Sequence, residues 1–416
     1  MKILATADIH IGRRSASFES HSSRSAWERI VEKAISEKID LLLLAGDIVD
    51  EENKFFEAVG PLERGVSKLA ENRIQTVAVA GNHDFDVLKR IAKKLPSEFK
   101  LFSNEWSYID FPFESPQVRI IGWSFPEAHY KTSPVSEFKK EFLKNDLPTF
   151  GLLHADLDNS SSIYAPVKSS ELLDIPLDLW ILGHIHKPGF CCESGGTTVL
   201  YCGSPQALDS SETGIHGSWI LELKNGKLSK PSLIPISSVM YDKYSISISG
   251  AETEEELQTS IYDGIKTYCD RELSETCLTE IQMNLTIEGE TSHPSLVREI
   301  SEEFMNSEKD YSIKNTFGNE IQLQISDYSL SLRPKISVEK LSKESGVLGV
   351  MAKLIQKLER GDESETVEAL MKNTDDIIQR FGAEIPIKSN EDTRRLLIRA
   401  GREILATAVE SMEKSS

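Results

Sequence analysis

Along the first 225 or so residues, short apolar runs alternate with amphipathic stretches, the pattern of a layered α/β domain. Strands are predicted over Lys2–Ala7, Asp40–Ala45, Gln75–Ala80, Val118–Gly122, Thr149–Leu153, Asp178–Leu182, Thr197–Tyr201 and Ser218–Leu223. The run Leu41-Leu42-Leu43-Leu44 has no polar face, so that strand is predicted to be covered on both sides. Between the first two strands, Trp27, Ile30, Val31, Ala34 and Ile35 share one face of a helix over Ser25–Lys38, with Ser25 and Glu28 reading as a capping box. Phe55–Glu71 reads as a second helix of this kind.

After Pro235 the pattern changes to strand (Tyr244–Ile248), helix (Glu254–Arg271), strand (Thr279–Ile287), helix (Ser295–Asn306) and strand (Ile321–Ile325). Arg333-Pro334-Lys335 looks like a linker, and beyond it the chain reads as helical over about 338–360, 363–381 and 391–413. Three domains are therefore expected: 1–235, a small α+β unit at 240–332, and a helical region at 338–416. In the last helix Leu397, Ala400, Ile404 and Ala408 form an apolar stripe, while Arg394, Arg395, Arg399 and Arg402 crowd its first half. With Ala383–Ser389 as a tether, it reads as a docking arm; the competing reading is a helix packed on its own chain.

Charge sharpens this division. The 416 residues carry 47 Lys and Arg against 66 Asp and Glu, a net of −19, which excludes a generic basic nucleic-acid coat and a polybasic membrane binder. Residues 1–250 hold 27 basic against 33 acidic residues and residues 251–416 hold 20 against 33, so the N-terminal half is the better placed to meet phosphates. There is no apolar window long enough to span a bilayer, and the five cysteines, two of them adjacent, make no disulfide framework. The expectation is a cytoplasmic protein with no membrane partner.

Five short motifs end five of the predicted strands: Asp8-Ile9-His10, Gly46-Asp47-Ile48-Val49-Asp50, Gly81-Asn82-His83-Asp84, His154 in Leu153-His154-Ala155-Asp156, and Gly183-His184-Ile185-His186. The carboxyl ends of strands in an α/β sheet share one crevice, so these residues are predicted to converge. Carboxylates, a carboxamide and five of the nine histidines make a mixed N/O donor set, suited to Mn²⁺, Fe or Zn²⁺. The glycines before Asp47, Asn82 and His184 are expected to allow sharp turns and close approach of phosphate.

This ordered set resembles the calcineurin-like metallophosphoesterase superfamily over about residues 1–225. The resemblance implies a two-layered β-sandwich flanked by helices, and two divalent ions, most simply Mn²⁺ with Mg²⁺, Fe or Zn²⁺ as alternatives. It places Asp8, His10 and His186 on one ion, Asn82, His154 and His184 on the other, and Asp47 between them. His83 would contact the scissile phosphate and assist the leaving alkoxide, with Asp84 orienting it, and Asp50 would be a hydrogen-bonder behind the site.

Protein phosphatases of this superfamily extend the second motif to Gly-Asp-x-x-Asp-Arg-Gly, whereas here Asp50 precedes Glu51-Glu52. The tail Tyr201-Cys202-Gly203-Ser204-Pro205-Gln206 with Glu212-Thr213-Gly214 resembles the DNA repair exonuclease branch, of SbcD and Mre-eleven type. The opening Asp-Ile-His-Ile-Gly-Arg-Arg and Gly-Pro-Leu-Glu-Arg-Gly at 60–65 look most like its bacterial YhaO-type members. One departure stands out: archaeal and eukaryotic members often carry His where Asp50 stands. The resemblance implies a DNA exonuclease or endonuclease subunit in DNA repair, a homodimer within a heterotetramer with an SMC-like ATPase of the SbcC kind, docked through C-terminal helices. The alternatives are a phosphodiesterase of a small nucleotide or lipid-linked phosphate, and a non-catalytic scaffold. Arg13, Arg14 and His21, in the loop after the first motif, are candidate substrate contacts, with ordinary surface charge as the competing account.

Overall fold

The computed structural model describes the chain apart from residues 14–21, 51–57, 144–145, 271–276, 308–309, 315–319, 336, 363, 382–389 and 414–416. It divides into two compact units, Met1–Asp242 with Glu272–Met283 and Asp310–Gln324, and Lys243–Arg271 with Asn284–Lys309 and Ile325–Ser416.

The first unit is a sandwich of two sheets. One contains β1 (Lys2–Thr6), β2 (Leu41–Ala45), β3 (Gln75–Val79) and β4 (Phe99–Leu101), all parallel. The other contains β5 (Ser107–Phe111), β6 (Val118–Trp123), β7 (Thr149–His154), β10 (Leu179–Gly183), β11 (Gly189–Ser194) and β12 (Thr197–Tyr201), with β6, β7, β10 and β12 parallel. A short ribbon, β8 (Asp156–Leu157) and β9 (Pro166–Val167), lies between β7 and β10 in sequence. The antiparallel β13 (Gly217–Lys224), β14 (Lys227–Leu228) and β15 (Ser232–Pro235) complete the first sheet beside β1.

The period-two alternation of side chains explains the layers. Ile3, Ala5, Leu41, Leu43, Val77 and Val79 meet Val118, Ile120, Phe150, Leu152, Leu179 and Ile181 in the inter-sheet core. Their neighbours Leu4, Leu42, Leu44 and Ala78 turn to the other face, where α1 (Ser23–Ser36) and α2 (Val59–Glu71) cover them with Trp27, Ile30, Val31, Leu62, Val66 and Leu69. The outer face of the second sheet is closed by Trp180, Trp123 and Tyr201 against Trp106, Phe142 and Leu172, the last on α4 (Ser169–Leu173). The expected strands and the sandwich fold are present. The edge strands β4, β5 and β11 add to the expectation. The α1 cap is corrected: Ser22, not Ser25, caps the helix, its hydroxyl accepting the Ser25 N–H at 3.2 Å, so the helix starts earlier.

From Val239 a second pattern begins. A four-stranded sheet runs in the order β16 (Val239–Ser247), β17 (Glu280–Thr291), β19 (Glu320–Pro334), β18 (Asp310–Lys314), with α5 (Glu254–Cys269) and α6 (Pro294–Ser307) between its strands in sequence. Strand β19 runs to Pro334, so part of the expected linker is strand. The expected helix at 338–360 is two, α7 (Val338–Leu341) and α8 (Val347–Glu359), because Gly346 at φ 105° breaks it.

The last helices are α9 (Glu365–Phe381) and α10 (Asn390–Glu413). Leu405 is buried with Val338, Ala352 and Ile355, and Leu397 and Ile398 pack on Leu358, Val367 and Met371. Arg394 donates to the Leu358 carbonyl at 3.2 Å, and Arg402 reaches Glu359 at 2.6 Å. The expectation of a tethered docking arm is therefore corrected: α10 is built into the helical layer, and Ile404 of the expected stripe faces outward. The tether, Ala383–Ser389, lies outside the described residues. Among the described residues no helix is long and apolar enough to cross a membrane.

The α1–α2 contact gives a direct check. A Cβ at Gly65 would stand 2.3 Å from the Trp27 Nε1, which donates to the Pro61 carbonyl at 3.0 Å. Helix propensity alone favours Ala over Gly by about 1 kcal/mol, whereas crowding a packed core costs about 1–3 kcal/mol. Gly65→Ala is expected to lower the urea midpoint, and a raised midpoint would show that the interface has slack.

Candidate metal centre

The five motifs follow β1, β2, β3, β7 and β10, and the parallel strand directions bring their carboxyl ends together. Asp8, His10, Asp47 and His184 have φ of 51°, 50°, 50° and 102°, conformations that L residues adopt only under constraint from their surroundings. Gly46 (φ 89°) makes a turn and lies against the His154 ring. Gly81 and Gly183 have a different reason for being glycine than the expected turns: a Cβ would fall 2.1 Å from the Asp47 Oδ1 and from the Ala45 carbonyl oxygen, respectively.

Three buried carboxylates tie the loops to one another. Asp8 accepts the His184 N–H with both oxygens at 3.0 Å. Asp47 Oδ1 accepts the His83 N–H at 2.9 Å. Asp84 accepts from Ile48 N at 2.7 Å and Gly81 N at 2.8 Å. The expectation that Asp84 orients His83 is corrected accordingly: its carboxylate is committed to the main chain of the second and third motifs.

All seven expected ligand residues fall in one cluster. Donor atoms of Asp8, His10 and His186 lie within 4.8 Å of one another, as do those of Asp8, Asp47 and His154 and those of His10, Asp50 and His83. Asn82 Oδ1 is 3.1 Å from His154 Nε2, and the His184 ring stands 5.3 Å from that of His154. His83 is about one-third exposed, its ring edge-on to His10 at 4.9 Å between centroids. Arg13 lies 3.9 Å from Asp209, while Arg14 and His21 are outside the described residues.

Hydrogen-bond chemistry shows which ring nitrogens can bind a cation. The Ala45 carbonyl, 3.0 Å from His154 Nδ1, can only accept, so Nδ1 carries a proton and Nε2 faces Asp47 Oδ2 at 3.3 Å and Asn82 Oδ1 at 3.1 Å. Glu212 stands 2.6 Å behind His186 Nδ1 and Asp50 3.3 Å behind His10 Nδ1. The Nε2 atoms of His10 and His186 face each other at 3.2 Å, so the two rings converge on one point. Two imidazoles converging with a carboxylate fit a divalent transition metal.

The buried charges act strongly on one another. Burial pushes Asp8 upward, and burial with the Asp47 charge pushes Asp84 up to about 7. At Asp47 burial is outweighed by His154, which holds the carboxyl below the usual range, and at His154 burial is outweighed by Asp47, which lifts the imidazole to about 9. Burial, then the His154 charge, lowers His184 to about 4. Burial opposes the His186–Glu212 bond, yet the bond prevails, raising His186 and holding Glu212 near 2. In the sequence Glu212 stands out only as part of the 201–214 tail; nothing in its spacing announces a partner 26 residues away.

A sandwich with a two-metal-type donor cluster at its strand ends defines the metallophosphoesterase α/β fold. Residues 1–188 match the model of the Calcineurin-like phosphoesterase family. Over that segment the chain is similar to calcineurin-like phosphoesterases. The uncharacterized metallophosphoesterase YhaO of Bacillus subtilis is 26% identical over 236 residues, 56% of this chain and 57% of that protein. The DNA double-strand break repair protein Mre11 of Methanopyrus kandleri is 23% identical over 295 residues, 64% of this chain and 63% of that one. The match thus spans less than two thirds of either relative. A solved dimetal phosphatase from Danio rerio aligns at 13% identity with a TM-score of 0.36, covering 54% of this chain and 93% of that one.

The neighbours His83 and Asp84 should separate in a stability measurement. Asp84→Ala strands three buried N–H groups, of Ile48, Val49 and Gly81, and is expected to cost on the order of 3 kcal/mol in chemical denaturation. His83→Ala removes a partly exposed ring and should cost less than about 1 kcal/mol. Equal losses would mean that Asp84 does not tie the loops.

Proposed function

We propose that this protein is a two-metal-dependent phosphodiesterase that cuts DNA, with Asp8, His10 and His186 holding one ion, Asn82, His154 and His184 the other, and Asp47 shared. The observation that carries the metal part is the convergence of imidazole rings and buried carboxylates from five strand ends. DNA as substrate is supported by the Mre11 relative, by the exonuclease-type tail at 201–214, and by the lack of the phosphatase extension after Asp50.

A pair of divalent ions, when bound, supplies Lewis-acid stabilisation of the attacking and leaving oxygens of an in-line displacement. The chain's own residues do the rest. The Asp47 bond to the His83 main chain fixes that loop, and the partly exposed His83 imidazole is set to contact the scissile phosphate and protonate the departing alkoxide. Arg13, at the rim, is placed to neutralise a neighbouring phosphate. In keeping with its relatives' branch, we place the chain as a homodimer in a heterotetramer with an SMC-like ATPase of the SbcC kind. Because α10 is integral to the helical layer, such docking uses the layer's outer surface rather than a free arm.

The test is hydrolysis by purified protein of linear duplex DNA, single-stranded DNA, bis-p-nitrophenyl phosphate and a phosphoserine peptide. Activity on DNA and on the small diester is expected with Mn²⁺, lost in EDTA, with the peptide untouched. Cleavage of the small diester but not of DNA would favour a small-nucleotide or lipid-linked phosphate, and inactivity on everything would favour a scaffold. His83→Ala should lose about 10²–10⁴ in rate with unchanged metal content; a lost ion would make His83 a ligand.

A further inference from the structure

Away from the strand-end cluster, the second unit holds a cavity of about 330 Å³ lined largely by arginine. Arg395, Arg399 and Arg402 reach it from α10 and Arg333 from the end of β19, together with Glu290 of β17 and Glu403 of α10. Ile398 and Ala406 supply its apolar wall. Four of the nine arginines after residue 250 thus meet at one place, in a region whose 20 basic and 33 acidic residues make it acidic as a whole. The lining itself carries a net +2, four guanidiniums against two carboxylates.

The α10 arginines stand at i, i+4 and i+7 and so share one helical face, where like charges three and four residues apart repel. Their present partners offset this only weakly. Arg395 pairs with Glu391 and Arg399 with Glu403, each at 3.3 Å along the helix, with the arginine side chains 74% and 72% exposed. Exposed pairs of this kind contribute little and exchange readily for a better-placed anion. Arg402 is tied to Glu359 of α8 at 2.6 Å. Arg333 has no ion-pair partner among the described residues, whereas Lys335, two residues on, is paired with Glu252.

A guanidinium presents a planar fork that matches two phosphate oxygens, and several forks in a row match successive phosphates. The volume lies at the small end of ligand pockets, about 300–1,000 Å³, which suits one nucleotide and leaves no room for a helix or a duplex. Charge range points the same way. At physiological salt, charges are screened beyond ~8 Å, so a small anion in the cavity meets the positive lining, whereas a long polyanion extends over the acidic surroundings. We propose that this cavity is a binding site for a nucleoside di- or triphosphate, its phosphates held by Arg333, Arg395 and Arg399 and its apolar part resting on Ile398 and Ala406. Every residue involved belongs to the second unit, so the proposal stands independently of the metal reading.

The test is calorimetric titration of full-length protein with ATP in the presence of EDTA, which keeps divalent ions out of the strand-end cluster. One ATP per chain is expected, displaced by inorganic pyrophosphate. Arg333→Gln and Arg399→Gln, on different elements, should each lower the affinity by about 10–100-fold, the range for hydrogen bonds to a charged group. Arg333→Lys should recover part of the loss, because it restores the charge without the fork. Lys343→Gln removes the same charge from a solvent-exposed pair with Glu339 and should change nothing. Thermal melts check that each variant is folded. Equal weakening in Lys343→Gln would reveal general charge attraction and overturn the proposal. So would a lack of ATP binding to the wild-type chain, or tighter binding of a DNA duplex that is lost with the same arginines, which would make the lining part of a nucleic-acid surface.

Discussion

The structure depends on carboxylates that accept main-chain N–H groups from neighbouring loops. Asp8 holds the His184 amide, Asp47 the His83 amide, and Asp84 the amides of Ile48 and Gly81. The loops thereby lock one another, and the left-handed conformations of Asp8, His10, Asp47 and His184 persist because each is over-determined by its neighbours. Strain of this kind needs a rigid frame. The frame is the inter-sheet core, whose alternating small and branched side chains fix where the strands end.

The same arrangement accounts for the chemistry. A buried carboxylate is costly unless it is hydrogen-bonded or paired, and here one oxygen typically satisfies a loop while the group as a whole contributes negative charge to the cluster. Asp47 shows both uses: Oδ1 takes the His83 N–H and Oδ2 lies 3.3 Å from His154 Nε2. The glycines at 81 and 183 belong to this logic too, because any side chain there would displace a carboxylate or a carbonyl that the neighbouring loop needs.

Much of this is legible in the chain because it is local. A strand that ends in Asp-x-His, Gly-Asp, Gly-Asn-His-Asp or His-x-His announces its loop within a few residues, and the all-apolar Leu41–Leu44 announces a strand buried on both faces. What escapes is set by long-range contacts. Glu212 and Asp50 meet His186 and His10 only after folding, and the commitment of Asp84 to Ile48 could not be told from a contact with adjacent His83. The edge strands β5 and β11 leave little trace in the sequence because their half-exposed residues lack a clean alternation. The long β19 is hard to tell from a short strand with a linker because its exposed residues and terminal proline imitate one. Helix α10 is harder to read: of its apolar stripe Leu397 packs while Ile404 faces outward, and the other packing side chains, Ile398 and Leu405, lie beside the stripe.

The central claim is that five strand ends together make a two-metal site, and anomalous diffraction from crystals soaked in Mn²⁺ addresses it directly. The account predicts two anomalous peaks in one cluster, one bordered by Asp8, His10 and His186 and the other by Asn82, His154 and His184, with Asp47 between them. A single peak, or peaks bordered by other residues, would contradict it.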